Sequence, residues 1–211
     1  MDNLKFLDVV LFPKSFYRKV TDKKLTLYLG IVFVGLVDLA FPLADNLTRY
    51  FKGKAQPVMI FNAGLVPTFA ILLGLIDVMF FSLPLFDLFK FFKRKEPVAI
   101  DGSLLVRVMK VYIMAHFIIV PVEAVIFYTL SNMKMSSLTF ASTSLLIFIY
   151  VFSEIVIPVW FSAAITRGFN VIYKFEQAFM RLTFITILTW NLLLNYAFKY
   201  MMDHWLLRLF K

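Results

Sequence analysis

Long apolar runs, most of them broken by a single acid, set the pattern of this chain. They cover about residues 25–44, 58–83, 108–130, 138–165 and 178–200. Each is long enough to cross a hydrocarbon core of ~30 Å, which takes roughly 20 helical residues. The strict alternation of a membrane barrel is absent. The pattern predicts an all-α polytopic membrane protein, a bundle of five transmembrane helices over 25–211. Ahead of it, residues 1–24 read as an amphipathic interfacial segment. Leu4, Leu7 and Leu11 share one helical face, with Phe6 and Val10 beside them. Pro13 is expected to interrupt that helix. Lys14, Arg18, Lys19, Lys23 and Lys24 follow, interleaved with Phe16, Tyr17 and Val20. Such a mix suits an anionic leaflet surface, so the bilayer is the first expected partner. Residues 84–92 are expected to prolong the second span as a helix along the inner surface. The connections are too short for an independent globular domain.

The acids are Asp38, Asp77, Glu123 and Glu154, one in each of the first four spans. An ionised carboxylate in hydrocarbon costs roughly 2.5–3.5 kcal/mol even on lenient scales, unless it is paired, hydrated or protonated. The chain is therefore expected to have a polar interior. A local repeat accompanies the acids: Gly35-Leu36-Val37-Asp38 before Pro42, and Gly74-Leu75-Ile76-Asp77 before Pro84. Glu154 precedes Pro158, and Pro121 precedes Glu123. Prolines in membrane helices free backbone carbonyls, and they are also simply tolerated there.

Composition supports the membrane reading. The chain is 61% hydrophobic and 17% charged, with mean hydropathy +0.83. Soluble domains sit near 45–50% apolar and about 25% charged. With no cysteine, disulfides, thiolate nucleophiles and Cys-ligated metals are excluded. The net charge of +9 does not point to nucleic acid, because the bases flank apolar runs rather than forming one stripe. The N-terminus does not read as a cleavable signal peptide.

Charge sets the expected orientation. With the N-terminus inside, 15 of the 22 bases lie on inner segments and 7 on outer ones. The chain is thus expected with its N-terminus cytoplasmic and its C-terminus external.

Depth then sorts the candidate site residues. At 1.5 Å per residue, Asp38 stands ~20 Å up the first span and Glu123 at ~22 Å on the third. Asn191 and Asn195, on one face of the fifth, fall at about 19–25 Å. These four are expected to form one polar cluster with no base at that level, one carboxyl there holding a proton. His116 shares a face with Glu123 and is the candidate for a proton relay or an interhelical hydrogen bond. Asp77 and Glu154 are placed toward inner helix ends, where Arg107, Arg167 and Arg181 are candidate salt-bridge partners. No zinc-binding His pair, phosphate-cradling Gly-rich loop or nucleophile elbow is present, so no enzyme activity, metal or cofactor is expected.

The layout resembles the Yip1 family of small five-span membrane proteins, in its bacterial form. The features are a short cytoplasmic N-terminus, five closely spaced helices and a short outer tail. The segment Phe12-Pro13-Lys14-Ser15-Phe16-Tyr17-Arg18-Lys19-Val20 is similar to an entry motif of many bacterial members. The resemblance implies a non-enzymatic protein that binds lipid or partner membrane proteins through a polar pocket between helices, or self-associates. Eukaryotic relatives imply a role in trafficking through small GTPases, but the long N-terminal region they use is missing here. The alternative expectation is a small cation- or proton-coupled transporter using Asp38, Glu123 and His116. A further one is the substrate-binding component of an uptake complex.

Overall fold

The computed structural model describes residue 8 and residues 10–92, 102–132 and 140–209. Among these every regular element is helical. The helices are α1 (Lys14–Arg18), α2 (Lys24–Tyr50), α3 (Gln56–Phe92), α4 (Gly102–Asn132), α5 (Phe140–Val151), α6 (Ile157–Tyr173) and α7 (Gln177–Met201). A five-residue π turn, Phe152–Val156, joins α5 to α6. Four segments are long and apolar enough to cross a membrane: Lys24–Ala44, Gln56–Phe92, Gly102–Asn132 and Thr143–Tyr173. The expected fifth span, 178–200, is helical within α7 but is not among those four. It carries Asn191 and Asn195 internally and Arg181 and Lys199 toward its ends. Leu4, Leu7 and Phe6 lie outside the described residues.

Helix ends differ from expectation in one way that matters. The second span was expected to end near Leu83, with 84–92 prolonging it as a helix along the inner surface. Instead α3 is one continuous helix of 37 residues, passing through Pro67 and Pro84. At 1.5 Å per residue it is about 55 Å long, well beyond a ~30 Å core. Residues 84–92 are therefore the same rod, continued. Pro84 has no N–H for the carbonyl of Phe80. The indole of Trp190 donates to that carbonyl oxygen at 3.2 Å and so replaces the missing bond. In the fourth run the chain answers a proline differently. The ring of Pro158 collides with the carbonyl four residues back, that of Glu154, and the helix widens into the π turn there.

The chain divides into two compact units. One comprises Thr21–Ile113 with Trp190–Lys211. Its heart is α2 packed along α3, with Leu39, Tyr50, Phe69, Leu73 and Met202 forming a buried cluster. Asn62 donates to the Tyr50 carbonyl at 2.8 Å and fastens the turn between the two helices.

The other unit comprises Met1–Val20 with Met114–Thr189. Here Pro13 starts α1 rather than merely ending what precedes it. Phe12 turns the chain with φ 59°, an uncommon value for a residue with a Cβ. Its ring packs on Phe16 and Tyr17 at 5.2 and 6.5 Å. Ala164, Ile165 and Phe169 of α6 are fully buried. The helix ends on Lys174 in the left-handed region, whose N–H reaches the Asn170 carbonyl at 3.0 Å.

Many large apolar side chains remain exposed, among them Leu29, Ile60, Phe91, Val125, Tyr128 and Phe148, each more than half accessible. A water-soluble protein this size rarely exposes so much apolar surface. Hydrocarbon removes the penalty, and the helices satisfy their own backbone groups as a bilayer requires.

Candidate functional site: an acid pair at a helix crossing

The repeated Gly-Leu-Val-Asp and Gly-Leu-Ile-Asp segments meet where α2 crosses α3. The two glycines are the contact point. A Cβ added to Gly35 would lie 1.7 Å from the Ala70 carbonyl oxygen and 2.6 Å from the Gly74 nitrogen. One added to Gly74 would lie 1.9 Å from the Ile31 carbonyl oxygen and 2.8 Å from the Gly35 nitrogen. Each glycine thus meets the other and the residue four before it, a nearly two-fold arrangement. Only glycine allows backbones this close, as small residues do at membrane helix interfaces generally.

Each acid stands three residues beyond its glycine. The short connection at Phe51–Ala55 makes α2 and α3 a hairpin, so they run in opposite directions. The Cα–Cβ bonds of a helix tilt toward its N-terminus. In an antiparallel pair that tilt brings the two aspartates back toward the glycine level and toward each other. Carboxylate oxygens of Asp38 and Asp77 lie within 4.8 Å. Asp77 is buried and Asp38 half-buried. The hydroxyl of Tyr112 on α4 donates to Asp77 Oδ2 at 2.7 Å. The Tyr112 ring is itself stacked on Phe81, 3.9 Å between centroids and 18° between planes. Pro42, four residues after Asp38, lies inside the same helix.

Set against protein-family models, curated proteins and solved structures, the chain matches none of them. The chemistry of the site is therefore read from its own atoms.

Two ionised carboxylates at this separation in an apolar interior repel strongly. The stable forms are one carboxylic acid beside one carboxylate, or two carboxylates with a cation between them. Tyr112 supplies a neutral donor to either form. The geometry suits taking up and giving back a small positive charge.

Sequence reasoning had separated these two acids by depth. Ending the second span at Leu83 put Asp77 near an inner rim, beside bases. With the observed ends, Asp77 stands 15 residues before Phe92 and Asp38 stands 14 residues after Lys24. The two are level. The signal that would have paired them was present in the repeat itself, read as a helix-crossing motif.

The remaining candidates are placed as follows. Glu123 and His116 belong to the unit containing α6, where Glu123 is half-buried and His116 packs edge-on to Phe161 at 4.9 Å. Asn191 is buried and Asn195, one turn on, is exposed. Glu154 sits exposed in the π turn, and Arg107 and Arg181 are exposed. Arg167 forms an ion pair with Asp8, a residue the sequence did not single out. Asp8 became relevant only once the N-terminal segment folded back onto α6.

Proposed function

We propose that this chain is a five-span, non-enzymatic inner-membrane protein that binds a proton or a small cation at Asp38 and Asp77. The observation that carries this reading is the acid pair within 4.8 Å on two membrane-long helices, with Tyr112 as its donor. It favours the cation- or proton-coupled alternative over a purely lipid- or partner-binding role of Yip1 type. The Yip1-like layout and a cytoplasmic N-terminus are kept within the proposal. Asp38 and Asp77 take the place first given to Asp38 and Glu123. Glu123 and His116 are then secondary relay positions.

The test is uptake into vesicles. Purified protein is reconstituted in liposomes enclosing a pH-sensitive dye, with an imposed gradient of protons, Na⁺ or K⁺. The wild type is expected to dissipate at least one gradient faster than empty vesicles. Asp38→Asn and Asp77→Asn are each expected to bring the rate down by about tenfold or more, the effect of losing one essential charge site at ~1.4 kcal/mol per decade. Unchanged rates in both variants, or no transport together with no cation-dependent change in thermal stability, would sink the proposal.

Topology is tested separately. The chain has no native cysteine, so single substitutions report cleanly. Lys52→Cys, in the turn between α2 and α3, is expected to react with an impermeant maleimide in intact cells. Lys19→Cys is expected to react only after permeabilisation. The reverse pattern would invert the orientation.

A further inference from the structure

The unit that contains α6 holds a cavity of about 330 Å³, remote in sequence from the acid pair. Its walls come from the N-terminal segment, α6 and the first turns of α7. Two of its lining residues are basic, Lys14 and Arg167, and none is acidic. The carboxylate of Asp8 pairs with Arg167. Those three groups sum to one positive charge. The lining also includes the apolar Leu11, Met180 and Phe184. Asn170 also contributes to the lining, and its Oδ1 is itself buried away from the cavity.

The strap that builds one wall is firmly held. The Trp160 indole donates to the Val10 carbonyl at 2.8 Å. The Tyr17 hydroxyl lies 2.9 Å from the Leu11 carbonyl oxygen and 3.0 Å from that of Ala164. Burial pushes the Tyr17 phenol above its usual range, so it stays a neutral donor. Position narrows the ligand further. Arg167 and Asn170 lie in the last two turns of the membrane-long segment Thr143–Tyr173, and Met180 lies in the first turn of α7. The cavity therefore lies near one end of a membrane-long helix, the level at which basic side chains and lipid headgroups meet.

We propose that this cavity binds one anionic phospholipid, its phosphate on Lys14 and Arg167 and acyl carbons along Met180 and Phe184. A guanidinium has five donors and can hold a phosphate while keeping the Asp8 carboxylate. The apolar wall distinguishes a lipid from a free phosphate, which would leave it in contact with water.

The experiment titrates the full chain, purified in an uncharged detergent, with phosphatidylglycerol, phosphatidylcholine or soluble glycerol 3-phosphate. Bound lipid is counted by native mass spectrometry and stabilisation read from the melting temperature. One phosphatidylglycerol is expected to bind, about tenfold or more tightly than phosphatidylcholine. Lys14→Gln is expected to weaken it by about fivefold to tenfold, the effect of removing one charge-assisted hydrogen bond at an accessible site. Lys14 is exposed and outside the Asp8 pair, so this variant tests the site even where Arg167→Gln disturbs folding. Equal affinity for the two lipids, or wild-type affinity in Lys14→Gln, would overturn the proposal. Glycerol 3-phosphate binding as tightly as phosphatidylglycerol would overturn the lipid assignment in favour of a soluble phosphate.

Discussion

Gly74→Val is expected to destabilise the protein by more than about 3 kcal/mol, and Gly35→Val to do the same. The new Cβ atoms would lie 1.9 Å from the Ile31 carbonyl oxygen and 1.7 Å from that of Ala70. Those neighbours are helix backbone and cannot rotate away as a side-chain tip can. The helices must separate, and the packing around Leu39, Phe69 and Leu73 loosens with them. The acid pair, held at its spacing by this crossing, is expected to fail at the same time. Gly64 on the same α3 is the control. Nothing lies within 4 Å of a Cβ there, so Gly64→Ala is expected to be neutral or stabilising by up to ~1 kcal/mol. Thermal unfolding in detergent, followed by circular dichroism, reads all three. Wild-type melting of Gly74→Val would mean that the crossing does not hold the protein together.

Tyr112→Phe is expected to cost about 1.5–3 kcal/mol, the range for a hydrogen bond to a charged group. The substitution is selective. A phenylalanine ring keeps the stack on Phe81 and removes only the donor 2.7 Å from Asp77. In an Asp77→Leu background the same change is expected to cost less than about 0.5 kcal/mol, because its partner is already gone. The difference between those two costs is the coupling energy of the pair. Unfolding of the four proteins of this cycle measures it in one buffer. Strict additivity would show that Tyr112 does not stabilise the acid site, and its hydroxyl would then be a bystander of the ring stack. Tyr112→Phe is also expected to slow cation or proton uptake without abolishing it, since both carboxyls remain.

The two proposals fail independently. Loss of the acid pair leaves Lys14, Arg167 and Asn170 untouched, and lipid binding should survive in Asp38→Asn. Charge removal at Lys14 leaves the α2–α3 crossing as it is.

Hydropathy alone determined the helical class and the positions of the apolar runs, because a chain in hydrocarbon has few ways to satisfy its backbone. The same arithmetic was weakest at helix ends. The second span was drawn to Leu83 with 84–92 laid along the inner surface, yet α3 runs as one helix to Phe92. A single proline costs one backbone bond, and Trp190 offsets it from elsewhere in the chain, which no local signal shows. That error in length became an error in depth, and it hid the pairing of Asp38 with Asp77. The partner of Arg167, Asp8, was equally out of reach of spacing rules. Matching residues by height names those that share a level, not those that face each other. The Gly-Leu-x-Asp repeat was legible from the start as a pattern. Only the tertiary structure decided that its two copies touch, because two glycines remove the side chains that would hold the helices apart and the Cβ tilt of antiparallel helices turns both acids inward.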